Sequence, residues 1–235
     1  MFSLRTIGAL VLGATMMFES WGFIVPHQDP TDLLLLVNKQ NRAPSVPFTL
    51  VKPDVTPSKP DLSENIYMRP EAAEALEALF EKAESEGVIL YATSGFRSYS
   101  TQKAIFDRKA KERGEQSANR SVAKPGQSEH QTGLAMDIEG ENSLGTGLTN
   151  AFGETPEGIW VAKNCAEYGF IIRYPKDKTN ITGYIYEPWH LRYVGVEAAK
   201  EITELGLTLE EYVLLVREDR VQILKGDVDP DESDS

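Results

Sequence analysis

Residues 128–138 read SEHQTGLAMDI. His130 stands between a serine and a glycine turn, and Asp137 follows it by seven residues inside a short apolar piece. A histidine and a carboxylate delivered from two sides of a small-residue turn suit a metal ion. They also suit two ordinary polar residues in a loop. The rest of the chain decides between these readings.

Working outward from this stretch, the flanks alternate helical and strand patterns. Upstream, MRPEAAEALEALFEKAESEG places Ala72, Leu76, Leu79, Phe80 and Ala83 at helical spacing, with Pro70 suited to the first helical position and Gly87 to the end. VILYATSG reads as a buried strand with Gly95 at its exit, and YSTQKAIFDRKAKERG as a second helix closed by Gly114. The region 116–147, rich in Gly, Ser and Asn, predicts loops and short strands. Downstream, PEGIWVAKNCAEYGF is a third helix, while GFIIRY, GYIYEPWH and LRYVG read as strands. Two C-terminal helices follow, the second opened by the capping box running from Thr208 to Glu211. The class is α+β: helices packed on a small, mostly antiparallel sheet.

At 235 residues the chain buries one good core, so one main domain with appendages is expected. The net charge of −12 argues against nucleic acid as a partner, because phosphates would be repelled. The single cysteine, Cys165, excludes an internal disulfide and a cysteine-rich metal site, and its helical setting reads as a buried thiol. Residues 1–25 carry Arg5 and an apolar run from Ile7 to Phe18. That run suits a signal-peptide core better than a membrane span, which needs about 20 residues. No clear cleavage site follows, so attachment to a membrane through an uncleaved anchor stays open; either way the expectation is an exported, extracytoplasmic protein of the cell wall or outer membrane face. Residues 26–65 read as an extended arm whose DLLLLVNKQN segment packs on the domain, 66–222 as the domain proper, and 223–235 as a disordered acidic tail.

A second short stretch, EPWH at 187–190, supplies another histidine with a glutamate three residues before it; His27, the remaining histidine, lies in the arm. His130, Asp137 and His190 together offer two imidazoles and a carboxylate, which leaves a fourth position of a zinc ion open to water, as catalytic sites do. Glu187 is placed to hold that water and pass its proton to a leaving amine. Along a regular strand Glu187 and His190 would face opposite ways, so EPWH requires a bend, and Pro188 makes one plausible. By spacing alone, a metal site and a set of satisfied polar residues remain equally open.

SGFRSYSTQ, SEHQTGLAMDI and YEPWHLRYVG resemble the three signature blocks of the VanY-type D-alanyl-D-alanine carboxypeptidases, zinc peptidases of the LAS group with a hedgehog-like fold. The resemblance runs in order over roughly residues 33 to 217, and every position of the metal set is filled. It implies one zinc ion held by His130, Asp137 and His190, Glu187 as general base and acid, and Arg97 against the scissile carbonyl or a substrate carboxylate. It also implies Ser128 and Gln102 as pocket-lining residues, while Tyr174 and Trp189 either flank the pocket or fill the core. The implied activity is hydrolysis of the terminal D-alanine from peptidoglycan stem peptides. An L,D-carboxypeptidase acting on tetrapeptide stems shares almost the same blocks. A cross-link endopeptidase and a non-catalytic zinc-bearing wall-binding module are further alternatives, the last disfavoured by the intact Glu187.

Overall fold

The computed structural model describes residues 25, 28–45 and 48–226. The expected leader or anchor, His27 and the acidic tail beyond 226 lie outside the described residues. Helix α1 spans Pro70–Ser85, with Pro70 in its first turn, and buries Ala72, Ala73, Leu76, Leu79 and Ala83 at three- and four-residue steps. Strand β1 is Leu90–Ser94. Helix α2, Tyr99–Arg113, starts where the Ser98 hydroxyl accepts a hydrogen bond from the Thr101 backbone N–H. Strand β2 is Ala135–Gly140 and is buried along its whole length. Helix α3, Pro156–Asn164, is capped in the same way by Thr155 and tightens into a 3-10 turn before Gly169. Strands β3, Phe170–Tyr174, and β4, Glu187–Tyr193, come next. Helices α4, Val196–Leu205, and α5, Leu209–Gly226, close the chain. Helix α5 runs past residue 223, where a tail was expected to begin. Its capping box forms as expected, since the Thr208 N–H bonds the Glu211 carboxylate and the Glu211 N–H bonds the Thr208 hydroxyl.

The four strands form one sheet in the order β1-β2-β4-β3, and every neighbouring pair is antiparallel. Alternate residues of β3 serve two cores. Phe170 joins Leu76, Leu79, Met136, Ile138 and Leu191 beneath α1, while Ile171 joins Leu36, Val194, Ile202 and Leu209 beneath α4 and α5.

One sequence expectation needs correction. EPWH and LRYVG are not the ends of separate strands; one strand runs from Glu187 to Tyr193. The bend that EPWH required is present as an irregularity within it. Ile172 pairs with Leu191 and Tyr174 with Glu187, so β4 spends four residues where β3 spends two.

The arm is a packed part of the fold. Leu35, Leu36 and Val37 are buried, each contributing on the order of 2 kcal/mol by leaving water. Among the described residues, no helix is long and apolar enough to cross a membrane.

Candidate metal centre

Asp137 on β2 and His190 on β4 are direct cross-strand partners, so the pleat sets both side chains on one face. His190 Nδ1 lies 2.9 Å from Asp137 Oδ1. His130 arrives from the 3-10 turn Glu129–Thr132, which ends at Gly133 in the left-handed region with φ +73°. A side chain at position 133 would be strained at this φ, so the turn calls for glycine; a Cβ there would also displace the flexible end of Leu50, 2.8 Å away at Cδ2. The turn places His130 Nε2 3.3 Å from Asp137 Oδ2. One candidate ligand atom from each residue lies within 4.8 Å of the others, and all three residues are buried.

The donor chemistry fits a zinc ion. His130 Nδ1 is 2.7 Å from the Gly95 carbonyl oxygen. A carbonyl only accepts, so Nδ1 carries the proton and Nε2 turns its lone pair toward the centre. Burial and the nearby Arg97 push His130 down to about 4 against the pull of Asp137, which keeps the imidazole neutral as a ligand must be. Asp137 is held well below the usual carboxylate range: burial would raise it, but His130 and Arg97 outweigh that. For His190 burial disfavours the cation, yet Asp137 and Glu129 raise it to about 9, so a bound metal would compete with that proton.

The strand irregularity brings Glu187 to the same cleft as His190, where both line a cavity of about 890 Å³. Burial raises the Glu187 carboxyl to about 8, opposed by His190 and Arg97, and a divalent cation beside it would oppose the rise further. Arg97 points its guanidinium at the centre, donating from Nη2 to Asp137 Oδ2 and from Nε to Ser94 Oγ at 2.8 Å. Ser128 is buried on the cleft wall and makes no cap bond to the turn it precedes. Gln102 is buried too; its Nε2 donates to the Ala123 carbonyl at 2.7 Å, and its Oε1 has no hydrogen-bond partner among the described residues. Tyr174 stands against His190 with ring centroids 5.0 Å apart. Trp189 does both things that were open to it, lining the cleft and belonging to the core.

Sequence reasoning missed a buried cluster of charges behind His190. Glu129 Oε1 accepts from Arg173 Nε at 2.7 Å and from Arg192 Nη1 at 2.6 Å. Arg173 also makes a two-pronged pair with Glu210, at 2.8 and 2.7 Å. The arm completes the cluster: Asn38 donates to Glu210 at 3.1 Å, and Arg192 Nη2 donates to the Leu33 and Leu35 carbonyls, each at 2.8 Å. Glu129 was visible in sequence only as the neighbour of His130.

Residues 65–196 match the family model described as VanY, D-alanyl-D-alanine carboxypeptidase. The chain is 54% identical over 187 residues to the YodJ protein of Bacillus subtilis (strain 168), named for a carboxypeptidase; the match covers 79% of this chain and 68% of that one. Among solved structures, the LdcB LD-carboxypeptidase superposes with a TM-score of 0.73 at 52% identity, covering 79% of this chain and 87% of that one. A zinc complex of a mutant vancomycin resistance D,D-pentapeptidase, VanY from a VanB-type cassette, superposes with a TM-score of 0.65 at 37% identity, covering 77% and 98%.

Proposed function

The chain belongs to the VanY D-alanyl-D-alanine carboxypeptidase family, and on that footing we propose that it is a zinc carboxypeptidase releasing the terminal D-alanine of peptidoglycan stem peptides, with D-Ala-D-Ala pentapeptides as its first substrate class. The observation that carries this reading is the convergence of His130, Asp137 and His190 at one wall of a cleft with Glu187 beside them. Such stems lie outside the cytoplasmic membrane, which accords with the proposed export through the N-terminal segment.

His130, Asp137 and His190 would hold the ion. Zinc, when bound, supplies electrophilic charge for the scissile carbonyl and the attacking water. Glu187 takes a proton from that water as the new C–O bond forms, then gives it to the amine nitrogen as the C–N bond breaks. Its raised affinity for a proton suits this shuttling. Arg97 offers fixed N–H donors to the carbonyl oxygen as it gains charge, or to the substrate carboxylate. Ser128 and Gln102 present polar groups to the peptide, Gln102 through an oxygen free to accept an N–H. Tyr174 and Trp189 form an apolar wall that excludes water from the reacting bond.

A second reading has its own support. The likeness to an LD-carboxypeptidase, 52% identical, exceeds that to the D,D-pentapeptidase, 37% identical, and favours cleavage of tetrapeptide stems. Incubating purified pentapeptide and tetrapeptide muropeptides with the zinc-loaded protein, with and without chelator, separates the two. Chelator-sensitive release of D-alanine from the pentapeptide supports the first reading and from the tetrapeptide alone the second. Release from neither leaves a binding module.

A further inference from the structure

The two histidines of the centre are supported unequally. His130 has its outer nitrogen fixed by the Gly95 carbonyl. His190 turns Nδ1 toward Asp137, and its Nε2 faces Glu129 Oε2 at 3.5 Å. Both of those facing atoms are buried and have no hydrogen-bond partner among the described residues. Glu129 Oε1 is already taken by two guanidinium groups, which leaves Oε2 to receive one further proton donor, and His190 Nε2 is the atom it faces. The carboxylate itself cannot swing away, because Arg173 and Arg192 grip it from β3 and β4, Glu210 on α5 grips Arg173, and the carbonyls of the arm hold Arg192.

We propose that Glu129, clamped by Arg173 and Arg192, is a positioning residue that fixes the Nε2–H tautomer and ring orientation of His190, so that Nδ1 presents its lone pair to the metal. This deepens the zinc reading of the same site and rests on it. A carboxylate behind a ligating imidazole raises its basicity and removes the entropy of ring rotation from the cost of binding. The physics distinguishes Glu129 from the rest of the cluster. Glu210 also neutralises Arg173, but it makes no contact with His190, so its loss should destabilise the fold while Arg192 still holds Glu129 in place.

The test compares zinc affinity, measured by competition with a chromophoric chelator, in the wild-type chain, Glu129→Gln and Glu210→Gln. The expected result is a dissociation constant raised about 10- to 100-fold in Glu129→Gln and changed by less than about threefold in Glu210→Gln. Equal affinity in wild type and Glu129→Gln would overturn the proposal, and so would equal losses in both variants, which would mark a merely structural cluster. Nitrogen NMR of the histidine rings in the zinc-loaded wild-type protein needs no variant. A protonated Nε2 and a metal-bound Nδ1 on His190 are expected, and the reverse assignment would refute the role. If the wild-type protein binds no zinc, the carboxypeptidase reading itself fails, an outcome separate from normal zinc binding with an indifferent Glu129.

Discussion

Replacing Glu187 by glutamine keeps the shape of the side chain and removes its ability to accept a proton. The effect can be sized from the carboxylates available to take its place. Among the described residues four line the cleft: Glu64, Glu129, Asp137 and Glu187. Asp137 is committed to Arg97, His130 and His190. Glu129 is clamped by two arginines behind His190. Glu64 is exposed and paired with Lys52 at 3.3 Å. None of these three can take the proton from water and return it to the amine, so the loss should fall at the upper end of the range for general acid–base catalysis, about a thousand- to ten-thousand-fold in kcat. That corresponds to ~4–5.5 kcal/mol of transition-state stabilisation. Zinc content should stay at the wild-type level, because Glu187 is outside the ligand set. The assay is steady-state release of D-alanine from whichever stem peptide the wild-type enzyme accepts, alongside metal analysis of the same sample. A variant that retains zinc and turns over within tenfold of wild type would refute the assignment of Glu187.

Arg97→Lys should keep zinc but lose the planar fork that serves Asp137, Ser94 and the substrate together, lowering kcat/KM by about 10- to 100-fold; unchanged steady-state kinetics would remove Arg97 from the site. Cys165 is buried and its thiol is pushed from 9.0 up to about 12 by burial, so it should resist thiol reagents until the protein unfolds. Above pH 9 the unfolded chain releases this proton while the native state keeps it, so urea-melt stability should fall by up to about 1.4 kcal/mol per pH unit toward pH 12; a Cys165→Ala variant with an identical slope would contradict this.

The parts of the molecule legible in the sequence are those set by local rules. Pro70, Gly87, Gly114 and the Thr208–Glu211 box mark helix ends by chemistry that acts over a few residues. His130, Asp137, Glu187 and His190 were legible because their residue types are scarce and their order specific. The bend in EPWH was demanded by strand geometry, and the structure supplies it as an irregularity against β3. The Glu129–Arg173–Arg192–Glu210 cluster was not legible. A charged side chain in a single sequence is presumed solvated, and what buries these four are bonds between residues 37 to 63 positions apart. No local pattern announces such a partnership. The docking of Leu33–Asn38 was legible as apolar character, while its polar half, carbonyls and an amide meeting buried ions, was not.

The bonds from the arm to Arg192 and Glu210 join positions more than 150 residues apart in the chain. The ribosome therefore makes this piece early, long before β4 and α5 supply the buried ions that complete its polar contacts. Contacts of such sequence separation form slowly, so the bonds from Leu33–Asn38 to Arg192 and Glu210 should be made late in folding. A polypeptide begun at residue 66 would lose both carbonyls that accept from Arg192 Nη2 and should be less stable than the full chain.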